Sequence, residues 1–336
     1  MMGVGSQLII KAVMMMMMMM MMMVQKSDEL RSTHPLHEVV DWINYQGGPF
    51  IGLVLAFPAE ETPLIASGLF VPNSIYPVIQ LSGRKFKIGR MKDVDVIYVL
   101  TGEQTVNAAL TVQVMLQTFD IKGIVHYGIA GCTNTSMHVG DVAVPNLFAF
   151  TSSWKWLDFG SSQTGQKEIK IGSYNLPQAG ENLLERIQFT PVQLFSDWTA
   201  MQELFWFPVD PYWYNLATQI REVKLQRCVN ETACLPHEPQ VVFDLRGSTA
   251  NVFMSNLAYG KFLHHEFNIS TVDEESAAAI HVSRTNGVPC IVFRGISDVA
   301  GGEKLSLDGL SSLAATNSFR VAAKFVELIG CNKPNL

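Results

Sequence analysis

The strongest constraint on the fold is a repeated alternation of short, continuous apolar runs with longer stretches of helical period. Ile51 to Phe57 (IGLVLAF), Val94 to Leu100 (VDVIYVL), Ile124 to Tyr127, Asp141 to Val144, Gln240 to Leu245 and Ile291 to Phe293 all have strand length. Between them Thr62 to Gly68 reads as helix. Thr105 to Phe119 carries Val106, Ala109, Val112, Leu116 and Phe119 at helical spacing, and Asp308 to Ile329 puts Val321, Phe325, Leu328 and Ile329 on one face. This order of elements is the signature of an α/β protein.

One stretch breaks the alternation. Residues 152–239 are aromatic, proline-bearing and irregular, with Trp154-Lys155-Trp156, Phe205-Trp206-Phe207 and Tyr212-Trp213-Tyr214. The stretch lacks a periodic core of its own and strand patterns resume beyond it, so it is expected to be an insertion in one domain spanning 49–332. A chain of 336 residues with 48% hydrophobic composition can bury such a core. Residues 28–48, polar around His34, Pro35 and His37, read as a linker. Ahead of it, ten methionines, Met14 to Met23, end at Val24 and the polar Gln25-Lys26-Ser27-Asp28-Glu29. Residues 1–27 therefore read as a secretory signal peptide, or else as an N-terminal anchor. No other segment is long and apolar enough to span a bilayer, so no further membrane contact is expected.

The net charge of −6 and the lack of any Lys/Arg run argue against nucleic acid as a partner. Cys228 and Cys234 bracket the short polar loop VNETA, a spacing that fits a small disulfide ring in an oxidising compartment. Asn230 in the same loop, Asn268 and Asn134 head glycosylation sequons. The loop and the N-terminus together predict the secretory pathway, with an extracellular or vacuolar destination. Cys132, Cys290 and Cys331 have no obvious partners. Eight histidines show no ligand-type spacing beyond the adjacent His264-His265, which cannot face one metal from a helix, so neither metal nor cofactor is expected.

Open α/β sheets bind ligands beyond the carboxyl ends of their strands. Acids just after apolar runs are therefore candidates for chemistry: Glu60 and Glu61, the run Asp273-Glu274-Glu275, and Asp298. Taken singly, each is as well explained by a helix dipole or by solvation. Taken as a set they fall in motifs. Ile51 to Glu60 resembles the first strand and acidic turn of methylthioadenosine/adenosylhomocysteine nucleosidases. His126-Tyr127-Gly128-Ile129-Ala130-Gly131 followed by Val139-Gly140-Asp141-Val142 resembles their G-[ST]-A-G…VGD signature. Asp273 to Ala278 resembles E-M-E-[AS]-x-A, and Val288-Pro289 through Arg294-Gly295-Ile296-Ser297-Asp298 resembles VP…R-[AG]-I-S-D. Four motifs in order over Ile51 to Leu328 identify the nucleoside phosphorylase and nucleosidase superfamily, and HYGIAG, Ser248 to Phe253 and CVNETACLP resemble its plant bark storage branch.

The resemblance implies a three-layer α/β/α sandwich with a central mixed β-sheet, often assembled as dimers or larger homo-oligomers, and cleavage of a purine nucleoside. Asp298 would protonate or hydrogen-bond the purine N7, with a pKa raised by burial. Glu60 would activate water, Glu275 would hold the ribose and stabilise an oxocarbenium-like transition state, and Arg294 would orient Glu60 or the water. Phe57, Gly128, Ile129, Ala130, Gly131, Asn251, Val252, Glu274 and Ser297 would line the substrate, with Gly128 and Gly131 permitting a tight turn. Two positions depart from the pattern. Ile129 stands where the family has Ser or Thr, and Glu274 stands where it has Met. Phosphorylases of this family hold phosphate with arginines in the first loop and just ahead of the glycine motif. This chain has Pro58-Ala59-Glu60 and His126 there, so water is the expected nucleophile. Two functions remain open: a purine nucleosidase, and a storage or wound-inducible protein of reduced activity on the same fold.

Overall fold

The computed structural model describes residues 30–157, 168–170, 186–196, 199–301 and 309–331. The 1–27 segment with its methionines, and Asp308 at the start of the last expected helix, lie outside those residues. In chain order the strands are β1 (Phe50–Leu55), β2 (Phe70–Pro72), β3 (Val78–Leu81), β4 (Arg84–Met91), β5 (Val94–Leu100), β6 (Ile121–Cys132) and β7 (Val142–Phe150). The insertion supplies β8 (Trp154–Leu157), β9 (Glu168–Lys170) and β10 (Arg186–Phe189) as one small sheet, and β11 (Val192–Leu194) with β12 (Gln202–Leu204) as another. Then follow β13 (Phe207–Pro208), β14 (Val241–Thr249), β15 (Ile269–Asp273) and β16 (Cys290–Val299). The helices are α1 (His37–Gln46), α2 (Pro58–Ser67), α3 (Thr105–Thr118), α4 (Pro211–Ala217), α5 (Leu257–Phe267), α6 (Ser276–Thr285) and α7 (Leu310–Cys331).

The main sheet runs β13-β7-β14-β15-β6-β1-β5-β4-β2, with β16 paired to β6 and β7 and β3 paired to β4. β1 is parallel to β5 and β6, and β16 is parallel to β6, whereas β15 meets β6 and β16 meets β7 antiparallel, so the sheet is mixed. Successive strand residues point to opposite faces. Ile51, Leu53 and Leu55 of β1 accordingly pack with Trp213 of α4 and Phe319 and Phe325 of α7. Phe50 and Val54 pack on the other side with Val112 and Met115 of α3 and Ile280 of α6. Both faces are covered, which gives the three layers and explains the unbroken apolar runs.

Two stretches read as irregular contribute to this core. Within 28–48, expected as a linker, α1 buries Val40 and Ile43 beside Phe50, so part of the segment is packed rather than a tether. Leu36, Val39, Val40 and Ile43 do fall at helical spacing, but the period spans barely two turns and directly follows the polar stretch around His34 and Pro35. In the insertion, Asp210 caps α4 by accepting from the Trp213 backbone N–H at 2.8 Å. Trp213 then lies against β6 so closely that a Cβ on Gly123 would fall 2.0 Å from its ring. Among the described residues, no helix is long and apolar enough to cross a membrane.

Candidate active site

The carboxyl ends of β1, β6, β15 and β16 converge on a cleft of about 230 Å³. Its lining includes Phe57, Glu60, Ile129, Ala130, Gly131, Val252, Glu274, Glu275, Ser297 and Asp298, so residues spread over more than 200 positions meet in one place. A larger groove of about 610 Å³ between α2 and α7 carries none of the candidate acids.

Glu60 enters from the first turn of α2, which Pro58 starts immediately after β1. Its carboxylate is buried and held at both oxygens: Oε2 accepts from the Ala56 N–H at 2.7 Å and Oε1 from the Ile129 N–H at 2.8 Å. Burial pushes its pKa up, against the opposing pull of Arg294 and of the backbone N–H donors. The neighbouring Glu61 points elsewhere and ion-pairs with Lys87.

Arg294 of β16 lies under the cleft, fully buried, and acts as its hub. Its Nε faces Asp273 Oδ2 at 3.1 Å and Ser276 Oγ at 3.0 Å. Nη2 donates to Glu275 Oε2 at 3.2 Å and to His126 Nε2 at 2.5 Å, and Nη1 donates to the Ile129 carbonyl at 3.3 Å with Glu60 Oε1 3.8 Å away. Glu275, buried at the start of α6, also accepts from the Gln104 N–H at 3.1 Å. Burial, only partly offset by Arg294, pushes it up to about 7. Asp273 goes the other way. Burial opposes ionisation, but Arg294 and donors from Ser276 and Thr249 prevail and hold it below the usual carboxylate range. Asp273 was visible in the acidic run yet received no role from the sequence. The arginine that anchors it arrives from 21 residues away.

The tight turn expected at Gly128 to Gly131 does not form, because both glycines lie within β6 as it runs on to Cys132. Gly128 is required for a different reason. It pairs with Arg294 across β6 and β16, and a Cβ there would fall 2.1 Å from Glu60 Oε1 and 2.5 Å from Arg294 Nη1. Ile129 contributes its backbone to Glu60 and Arg294, and its apolar side chain lines the cleft.

Asp298, at the end of β16, is half-buried rather than enclosed, and its Oδ2 accepts from the Ser297 hydroxyl at 2.7 Å. Glu274 is half-buried on the cleft wall. Burial raises its pKa, and Glu103 and Asp273 add to the rise. Asn251 does not line the cleft. It is exposed and its Oδ1 accepts from the Thr105 N–H at 2.9 Å at the start of α3. The next residues, Val252 and Phe253, do line it, and Phe253 is 80% exposed at the mouth. Its place in the Ser248 to Phe253 segment was the only signal that could have found it.

The phosphorylase superfamily profile matches residues 50–327. The chain belongs to the phosphorylase superfamily. Within it, the chain is 38% identical to bark storage protein A of Populus deltoides over 281 residues, 83% of this chain and 88% of that protein. It is 24% identical to the 5'-methylthioadenosine/S-adenosylhomocysteine nucleosidase of Treponema pallidum (strain Nichols) over 250 residues, 73% of this chain and 83% of that protein. A solved structure of the nucleosidase of that type from Colwellia psychrerythraea 34H, in complex with adenine, superposes with a TM-score of 0.59 at 17% identity, covering 83% of this chain and 94% of that one. The mixed α/β architecture is thus that of the superfamily.

Away from the cleft, Cys228 and Cys234 are joined in a disulfide, and Asn230 sits exposed in the loop they close. Asn268 is exposed at the left-handed C-cap of α5. Asn134 is half-buried, and its side-chain amide donates to Ser270 Oγ at 3.2 Å.

Proposed function

We propose that this superfamily member is a purine nucleoside N-ribosyl hydrolase. The observation that carries the reading is that Glu60, Glu275 and Asp298 line one cleft over a buried Arg294, while the described residues of that lining include no Lys, Arg or His. Among the described residues of that lining a phosphate dianion would find no charge-assisted partner, whereas water would find Glu60, a carboxylate of raised proton affinity. In the reaction the C1'–N9 bond breaks with its electron pair passing to the base. Asp298 supplies a proton or hydrogen bond at N7, water forms the new C1'–O bond, and Glu60 takes the water's proton. Glu275 faces the positive charge that builds on the sugar. The flat face of Phe253 at the mouth suits stacking on a purine.

A second reading has its own support. The 38% identity to bark storage protein A, together with Ile129 in place of a hydroxyl residue, favours a storage protein that keeps the site as a remnant. The two are separated by measuring free base released from adenosine, inosine, methylthioadenosine and uridine, with and without phosphate, for the wild type and Asp298→Asn. Phosphate-independent release that falls by about 10²- to 10⁴-fold in the variant is expected. Release that requires phosphate refutes hydrolysis, and no release from folded protein favours storage.

A further inference from the structure

Arg294 lies fully buried beneath the cleft. A buried guanidinium has five N–H donors, and an unmet one is costly. Nε is met by Asp273 and Ser276, Nη1 faces the Ile129 carbonyl and Glu60, and one donor of Nη2 goes to Glu275. The last is met by His126 Nε2, on β6. The imidazole is itself fixed: Nδ1 lies 2.9 Å from the Val54 carbonyl of the neighbouring β1, and since a carbonyl only accepts, Nδ1 carries the hydrogen and Nε2 presents its lone pair. Burial, reinforced by Arg294, pushes the ring's pKa down to about 3, so it stays a neutral acceptor at any working pH.

We propose that His126 is the positioning residue for Arg294, aiming the guanidinium at Glu60 and Glu275 and away from the cleft, so that the site meets water instead of an anion. The proposal rests on the hydrolase reading. The charge balance explains why a neutral acceptor serves here. Glu60 from α2, Asp273 from β15 and Glu275 at the start of α6 already set three carboxyls against one arginine. A fourth carboxylate would add uncompensated buried charge, and a lysine or arginine would repel Arg294.

Two substitutions in the full-length protein separate positioning from packing. His126→Asn keeps a donor for Val54 but is too short to reach Arg294. His126→Gln places an amide oxygen near the Nε2 position. For His126→Asn we expect kcat for base release to fall about tenfold or more with KM within about threefold, since the fault lies in the chemistry and not in substrate binding. The Glu275 carboxyl, followed by ¹³C NMR and assigned with Glu275→Gln, should titrate about one pH unit higher because Arg294 no longer faces it squarely. His126→Gln should recover most of both. Wild-type kcat and an unmoved Glu275 titration in folded His126→Asn would overturn the proposal, as would a Gln variant equally impaired. If the wild type releases no base, the hydrolase reading fails while the carboxyl titration still decides the role of His126.

Discussion

Gly128→Ala tests the centre of the site through a change of one methyl group. Gly128 lies in β6 at an ordinary extended conformation, since it is not among the glycines with positive φ. Backbone reasoning alone therefore predicts that alanine stabilises the protein by about 0.4–1 kcal/mol, because it restricts the unfolded chain. The tertiary contacts predict the reverse. The new Cβ would stand 2.1 Å from Glu60 Oε1, 2.6 Å from Glu60 Cδ and 2.5 Å from Arg294 Nη1, and ordinary contact begins near 3.4 Å. Glu60 would have to retreat by more than an ångström, giving up the Ile129 N–H and straining the Ala56 N–H that hold its two oxygens. One charge-assisted hydrogen bond lost in a fully buried place costs about 1.5–3 kcal/mol, and some strain adds to it, so the net destabilisation should be about 2–4 kcal/mol. Urea unfolding of wild type and variant at pH 7 measures the difference directly. A variant as stable as the wild type, or more so, would refute the close approach of Gly128, Glu60 and Arg294.

Glu275 gives a pH signature. Burial pushes its pKa in the folded protein up to about 7 while the unfolded chain releases the proton at about 4.3, so between those values the native state holds a proton that the unfolded state has lost. Stability should fall as pH rises between those values, by up to about 4 kcal/mol relative to Glu275→Gln. Parallel stability curves for the two proteins from pH 4 to 8 would contradict this. Phe253→Ala should leave the melting temperature nearly unchanged, since the ring is 80% exposed, yet weaken binding of adenosine by about 1–3 kcal/mol in calorimetry if the ring stacks on the base. Unaltered affinity would remove Phe253 from the site.

The contrast between Glu60 and Asp273 shows what was legible in the chain. Glu60 follows an apolar run and stands at the start of a helix, both local facts, so its candidacy could be read from the order of residues. Asp273 stands in an equally visible acidic run, but its role comes from Arg294, and no spacing announces a contact across β15 and β16. The same holds for His126. In the sequence it is one residue inside an apolar strand, and its neighbour Arg294 Nη2 arrives only when β6 and β16 pair in register.

The sequence by itself determined the α/β class, six strands of the main sheet, the acids near strand ends, and the close spacing of Cys228 and Cys234, because all of these depend on period, composition and short spacing. Tertiary structure alone decided that Gly128 is there for close approach and not for a turn, that Asn251 tethers the start of α3 while Phe253 faces the cleft, and that three carboxyls share one arginine. The physical reason is that proton affinity and hydrogen-bond geometry inside a protein follow from which groups are brought within a few ångströms of each other and away from water, and that is a property of the packed sheet and not of the order of residues along the chain.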